Sequence, residues 1–172
     1  MSTQTADKKP RWKGWARDLL LFVLLVTAIG MYQSRNLLPT GEALDIEELT
    51  LYEGGTVSLQ ELEGKPTMLV LWAPWCGVCG AQSNNVSRVK KWLGDRVQVY
   101  SVALDYQNDE TVQKFIDKHN VDYPVILGDD ALTKELQVSA FPSLYVLNKE
   151  GRIKHRASGY TTTFGLLWRA LI

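Results

Sequence analysis

The chain has 172 residues, of which 45% are hydrophobic and six are tryptophan, so it can bury one sizeable core but hardly two. Nineteen basic and nineteen acidic residues give a formal net charge of zero, which argues against a generally basic surface for nucleic acid. The charge is unevenly placed, because residues 1–18 carry five basic and two acidic side chains.

Residues 19–34 form the first predicted element, an apolar segment without a charged side chain. As a helix it is about 24 Å long, a little shorter than a hydrocarbon core of about 30 Å, and Trp12, Trp15 and Tyr32 can lie at the two interfaces. The positive-inside rule keeps residues 1–18 in the cytoplasm and exports the rest of the chain. The sequence therefore predicts one transmembrane anchor.

A cleaved signal peptide is the alternative interpretation of this segment. It has the same order of basic and then apolar residues, and Ala28-Ile29-Gly30 is a passable cleavage site. The retained anchor is favoured because no clean Ala-x-Ala follows the apolar run, whose end is not rich in small residues. Both interpretations export the remainder of the chain.

Residues 35–48 are acidic and are predicted to be a linker, which would span up to about 45 Å if fully extended. The predicted globular domain covers residues 49–172. It begins with a hairpin over residues 49–59, and Ser58 and Glu61 have the spacing of a capping box.

Both cysteines of the chain lie in Trp75-Cys76-Gly77-Val78-Cys79, at the spacing of a redox dithiol. A hydrophobic strand over 67–73 leads into this motif, and a helical pattern leaves it and stops at Gly94. The first turn of a helix has unpaired N–H groups and a partial positive charge, which favour a thiolate. The sequence therefore predicts Cys76 as the nucleophile and Cys79, one turn deeper, as the resolving thiol.

Two other interpretations of the cysteine pair are less well supported. A zinc site would need two more ligands, and the remaining candidates, His119 and His155, are distant in sequence and not at ligand spacing. A purely structural disulfide would close so short a loop that it removes little entropy from the unfolded chain. The strand–turn–helix context favours redox use.

The elements beyond the cysteine helix are indicated by buried runs and helical spacing; they are a strand over 97–104, a helix capped by Asn108 or Asp109, an extended piece over 121–127 and a short helix from Asp129 to Leu136. His119 falls on the apolar face of the first of these helices and is predicted to be a rim or core histidine. A last helix, within residues 161–172, carries a predicted apolar stripe of Phe164, Leu167, Trp168 and Leu171.

Residues 138–147 are predicted to form a turn entering a strand, and residues 152–157 a second strand. Together with the cysteine motif, this part of the chain resembles the thioredoxin superfamily. The resemblance implies an α/β fold with a central mixed sheet flanked by helices, here with an N-terminal hairpin and a central insertion. It also implies that Pro142 is a cis proline facing the dithiol, and that Trp75, Phe141 and Pro142 bind substrate.

The hairpin, the insertion and the anchor resemble the TlpA-like branch of that superfamily, which includes membrane-tethered thiol–disulfide proteins of the bacterial periplasm. The stretches at 72–79 and 158–162 are most similar to the suppressor-for-copper-sensitivity protein D group. The resemblance implies a protein disulfide oxidoreductase without a cofactor or metal, anchored once in the inner membrane with its catalytic domain in the periplasm. Its expected partners are thiol- or disulfide-containing periplasmic proteins and a transmembrane electron donor of the DsbD type, and not nucleic acid.

Two positions depart from the pattern of the superfamily. Val70 stands where thioredoxin has a buried aspartate, and Gln82 stands where cytochrome-maturation members of the TlpA-like branch carry a glutamate. Because neither side chain ionises, the sequence shows no proton acceptor for Cys79.

Two alternatives to a reductase or electron relay stay open. The same exchange run backward would make the protein a thiol oxidase-type partner oxidant, since the motif does not fix the direction. A Cu(I)-binding module is a further hypothesis, because soft thiolates select Cu(I). The three methionines lie outside any Met- or His-rich tract, which argues against a copper carrier.

Overall fold

A computed structural model describes residues 12–44, 46, 48–58 and 62–172. The helices, in chain order, are α1 (Trp12–Ser34), α2 (Gly77–Leu93), α3 (Asp109–His119), α4 (Asp130–Glu135) and α5 (Thr163–Leu171). The strands, in chain order, are β1 (Leu49–Leu51), β2 (Thr56–Val57), β3 (Thr67–Trp72), β4 (Gln98–Ala103), β5 (Val125–Leu127), β6 (Ser143–Leu147) and β7 (Ile153–Ser158).

The seven strands form one mixed sheet in the order β2-β1-β5-β4-β3-β6-β7. Strands β3, β4 and β5 are parallel neighbours, and the β1–β2 hairpin and the β6–β7 pair extend the sheet with antiparallel strands. This is the predicted thioredoxin-like α/β fold. The hairpin and the insertion that holds β5 and α4 are also found where the sequence predicts them.

The sheet divides the core into two layers, and the interior strand β3 contributes to both. All six of its residues are buried, and its side chains alternate between the faces because successive strand residues point in opposite directions. Met68 and Val70 pack with α2 and α5 on one face, whereas Leu69 and Leu71 pack with α4 on the other.

Local sequence signals account for where the helices begin. Asn108, Asp129 and Thr162 are the N-cap residues of α3, α4 and α5, and each side-chain oxygen accepts a hydrogen bond from a backbone N–H three residues later. The predicted capping box of Ser58 and Glu61 includes a residue outside the described part of the chain.

Helix α1 is longer than the predicted apolar segment. It begins at Trp12 and has 23 residues, which gives a length of about 35 Å, and the residues added to the predicted segment include Lys13, Arg17 and Asp18. Within it, Gly14–Tyr32 is long and apolar enough to cross a membrane, and none of that stretch is buried in the protein. Arg17 and Asp18 form an exposed ion pair near its start. Residues 1–11 of the predicted cytoplasmic segment lie outside the described residues.

Part of the segment predicted as a linker is packed against the domain. Leu37, Leu38 and Leu44 are buried in the layer that contains α4, and each buried leucine contributes about 1.5–3 kcal/mol to stability. Arg156 donates hydrogen bonds to the backbone oxygens of Leu37 and Leu38, the latter at 3.0 Å. The prediction missed this docking because an adjacent pair of leucines and a third one six residues later, in a short polar segment, show no helix or strand periodicity.

The predicted apolar stripe of α5 is wrong. Its members Phe164, Trp168 and Leu171 are exposed, and Leu167 is only partly buried. The residues that pack on the core are Leu166 and Ala170. They lie about one third to one half of a turn around the helix from the exposed residues Phe164, Trp168 and Leu171. The interpretation failed because large apolar side chains occur on two faces of this short helix, and the sequence does not say which face meets the sheet.

Tyr145 provides a test of how residues 37–44 are held. Its hydroxyl donates to the Leu136 oxygen at 2.7 Å and accepts from the Leu38 N–H at 2.9 Å, and burial raises its pKa to about 12. We expect Tyr145→Phe to lower the free energy of unfolding by about 1–3 kcal/mol, because two buried backbone groups lose their partner.

Denaturant unfolding measures this loss, and hydrogen exchange should show faster exchange at the Leu38 amide. Tyr52→Phe is the matched control, since it removes a hydroxyl that bonds Gln113 at 2.7 Å in a part-buried site, and we expect a change below about 0.5 kcal/mol. Equal losses in the two variants would contradict the proposed docking of Leu38.

Candidate active site

The two cysteines lie at the point where β3 gives way to α2. Cys76 is the N-cap of α2 and Cys79 lies in its first turn, with their Cα atoms 5.3 Å apart and their sulfurs joined in a disulfide. The Cys76 Sγ accepts a hydrogen bond from the Cys79 backbone N–H at 3.2 Å. The leading sulfur therefore occupies the place of an N-cap oxygen, where a negative charge is stabilised by free N–H groups and by the helix dipole.

The two sulfurs differ in how far they can be reached. Cys76 is 8% exposed and Cys79 is 2% exposed, and both belong to a cluster with Trp72, Ala103 and Phe115. A partner disulfide can approach Cys76 in preference to Cys79. This difference supports the predicted order of attack, which stays a prediction.

The proline segment joins the cysteine motif through its aromatic neighbours. The Phe141–Pro142 peptide bond is cis, and Phe141 packs against the cluster that contains both cysteines. The rings of Trp75 and Phe141 meet edge to face, with their centroids 5.8 Å apart. The structure thus brings together Trp75, Cys76, Cys79, Phe141 and Pro142, which the sequence had separated by more than sixty residues.

Trp75 is exposed but is held in one orientation. Its indole N–H is 3.0 Å from a carboxylate oxygen of Asp105 and 3.2 Å from the backbone oxygen of the same residue. Asp105 has a φ of 49°, a left-handed conformation that aspartate adopts more readily than most residues. The sequence analysis missed Asp105, because its only signal is its position just after the second buried strand.

A cavity of about 440 Å³ opens beside Cys76 and Trp75 and is also lined by α3. His119 lies at its wall and contacts Phe115, with ring centroids 4.5 Å apart, and Phe115 in turn stacks on Trp72 at 3.9 Å. Burial, with a smaller effect of Lys118, lowers the pKa of His119, which favours the neutral ring. The sequence placed His119 on the apolar face of α3 without indicating its proximity to the dithiol.

Val70 and Gln82, the two residues that depart from the superfamily pattern, pack or form hydrogen bonds inside the domain. Val70 is a core residue of β3, and Gln82 is buried on α2, where its side-chain oxygen accepts from the Thr161 backbone N–H at 2.8 Å. The N–H of Gly159, which has a φ of 89°, donates to the Pro142 oxygen at 2.7 Å. The segment after β7 therefore ties the proline turn to α2.

Comparison with known proteins agrees with this architecture. Residues 40–156, more than half of the chain, match the AhpC/TSA family. The chain belongs to this family. Among curated relatives, the thioredoxin-like protein YneN of Bacillus subtilis is 26% identical over 150 residues, covering 83% of this chain and 88% of that protein. The thiol-disulfide oxidoreductase ResA of Halalkalibacterium halodurans is 28% identical over 157 residues, covering 86% of each chain.

Solved structures show the same fold in this AhpC/TSA family member. A putative thiol:disulfide interchange protein DsbE from Chlorobium tepidum superposes with a TM-score of 0.71 at 20% identity, covering 78% of this chain and 96% of that one. The fold, the family and the Cys76–Cys79 pair are those of a thioredoxin-like thiol–disulfide oxidoreductase. A TlpA-like grouping fits these relatives, and the finer subgroup stays a prediction.

Gly80 is the position where α2 and His119 approach most closely. A Cβ atom added at Gly80 would lie 2.5 Å from His119 Nε2 and 2.7 Å from Nδ1. We expect Gly80→Ala to lower the free energy of unfolding of the oxidised protein by about 1–3 kcal/mol, because the ring must leave its place against Phe115. In a His119→Ala background the same change should raise stability by up to about 1 kcal/mol, since alanine favours a helix.

Chemical denaturation of the four proteins in this double-mutant cycle measures the coupling. Gly77→Ala is the control, because an added Cβ meets open space in the same helical turn. If Gly80→Ala has one effect in both backgrounds, His119 does not occupy the position described.

Proposed function

We propose that the protein is an exported, membrane-tethered thiol–disulfide oxidoreductase of the TlpA-like type, which reduces periplasmic disulfides or relays electrons to them. The observation that carries the proposal is the position of Cys76, a slightly exposed sulfur at the N-cap of α2 with Cys79 behind it. The partners are periplasmic proteins with thiols or disulfides, and a transmembrane donor of the DsbD type supplies electrons.

The reaction is two successive thiol–disulfide exchanges. In the reduced protein the Cys76 thiolate attacks one sulfur of the partner disulfide, forms a mixed disulfide and releases the other partner sulfur as a thiolate. Cys79 then attacks the Cys76 sulfur, which re-forms the Cys76–Cys79 disulfide and releases the second partner thiolate. The partner gains two electrons, and its two thiolates take up two protons, one from Cys79, directly or through water, and one from solvent.

The surface around Cys76 suits an extended partner segment. Trp75 and Val78 are exposed next to Cys76 in the chain, and Phe141 packs on the cluster that contains both cysteines and meets Trp75 edge to face. These side chains supply apolar contact, while the backbone beside a cis proline is available for strand-like pairing. We assign substrate binding to Trp75, Phe141 and Pro142 on this basis.

The membrane part of the proposal rests on α1. Its apolar stretch is unburied and long enough to cross a bilayer, and the charge asymmetry around it favours export of the domain. The domain would then act at the outer surface of the bacterial inner membrane.

Thiol reactivity tests the roles of the cysteines. In the reduced protein Cys76 should be alkylated well below the pH of about 8.5 at which an ordinary thiol titrates, while Cys79 stays protected. Mass spectrometry of the labelled protein across a pH series measures this.

In cells, Cys79→Ser should accumulate mixed disulfides with partner proteins, and the Cys76→Ser control should accumulate none. Equal labelling of both thiols at every pH would refute the roles, and tight, specific Cu(I) binding by a dithiol that no thiol couple can cycle would favour the copper module.

Protease accessibility tests the topology. The intact protein should fractionate with membranes, and added protease should digest the domain only after the outer membrane is opened, because the positive flank of α1 holds the N-terminus inside. A cytoplasmic protein serves as the control for membrane integrity. Recovery of a soluble exported form that begins near Met31 would contradict the anchor and support a cleaved signal peptide.

A further inference from the structure

Helix α5 presents an apolar face that the domain leaves uncovered. Phe164 is 80% exposed and Trp168 is 64% exposed, and Leu171 and Ile172 are exposed beside them. The opposite side of the helix, with Leu166 and Ala170, packs on the sheet. Exposed apolar patches of this kind on a folded domain mark contact with a membrane or another protein.

A basic cavity borders this helix. It has a volume of about 570 Å³ and lies between the last turns of α1 and the end of β7, and its cationic side chains are Arg35, Arg156 and Arg169. Among the described residues, no acidic side chain lines it. The guanidinium groups bond Tyr32 and backbone oxygens, and in the described part of the chain none of the three forms an ion pair with a carboxylate. The cavity has the charge that a phosphate group requires.

The position of α1 places this cavity at a membrane surface. Thr27, Gly30 and Met31 line the cavity and lie in the last part of the apolar stretch that ends at Tyr32. The Ser158 N–H donates to Ser34 Oγ at 3.2 Å, so the domain begins where the helix ends. Because α1 rises 1.5 Å per residue, the cavity extends over roughly the last 10 Å of the helix, from the outer part of the hydrocarbon layer at Thr27 to the headgroup layer at Ser34 and Arg35.

We infer that the domain docks on the membrane, with Phe164 and Trp168 of α5 in the interface and an anionic phospholipid headgroup between Arg35, Arg156 and Arg169. The inference rests on the proposed transmembrane role of α1. Aromatic side chains favour the interfacial layer, and arginines at the end of a transmembrane helix bind lipid phosphates. The ligand is a phosphodiester held in a bilayer, and its single negative charge lies among the three guanidinium groups.

Fluorescence quenching of the full chain tests where α5 lies. The oxidised protein is reconstituted in vesicles of phosphatidylcholine and phosphatidylglycerol whose acyl chains are brominated near the headgroups, because bromine quenches nearby tryptophans. Trp168→Phe should remove a measurable share of the quenching. The matched control is Trp92→Phe, since Trp92 is exposed to a similar extent, 57%, and lies in the last turn of α2.

The outcomes separate this inference from the proposed topology. Trp15 lies on α1, so Trp15→Phe should also reduce quenching if α1 is inserted. Loss of quenching with Trp15→Phe and none with Trp168→Phe would leave the anchor in place and overturn the docking of α5. No quenching attributable to Trp15 would instead reject the anchor and the inference with it.

Lipid selectivity tests the arginines. Native mass spectrometry of the full chain should show preferential retention of phosphatidylglycerol over phosphatidylcholine. The preference should fall about fivefold for each of Arg35→Gln and Arg169→Gln. Lys91→Gln, at the far end of α2, is the control and should leave it unchanged. Inorganic phosphate should not displace the lipid; displacement by phosphate, or an unchanged preference in both arginine variants, would overturn the headgroup site.

Discussion

The abrupt change from β3 to α2 is the constraint on which the rest of the site depends. The strand ends at Trp72 and the helix begins at Gly77, so Cys76 becomes the N-cap and its sulfur accepts a hydrogen bond from the N–H of Cys79, the third residue of the helix. Burial of all six β3 residues fixes the strand, and burial of Val86 and Val89 fixes the helix against it. Core packing therefore determines the position of the Cys76 sulfur, and Cys76 itself belongs to the buried cluster with Trp72 and Phe115.

The other parts of the site reach the same end of the sheet through strand pairing. Leu71 pairs with Ser143, and Ser143 pairs with Ser158, so the ends of β3 and β7 and the start of β6 are adjacent. This register brings the Phe141–Pro142 turn to the dithiol. It also brings the end of α1 there, because Ser34 bonds the Ser158 N–H. The exit of α1 and the active site thus lie at one end of the domain.

Sequence patterns predicted what is local, and long-range packing decided the rest. Hydrophobic periodicity, helix caps and turn residues predicted the ends of β3, α2 and the hairpin within one or two residues. Both cysteines and the proline were found because each stands in a recognisable sequence motif. The docking of Leu37 and Leu38 depends on partners more than one hundred residues away in the chain. The burial of Leu166 rather than Phe164 depends on partners about eighty residues away. Neither Asp105 nor His119 stands in a motif, and each reaches the site only through the fold.

A docked segment after α1 changes how the domain can work. A free linker would let the domain move over a wide range of distances from α1. Burial of Leu37, Leu38 and Leu44 instead fixes the position of the domain, and so of the dithiol, relative to the end of α1. Under the proposed topology, soluble partners must therefore come to the membrane, while a membrane-embedded electron donor is already within reach. The rigid connection limits the range of substrates and favours repeated exchange with a donor in the same bilayer, which is the arrangement an electron relay requires.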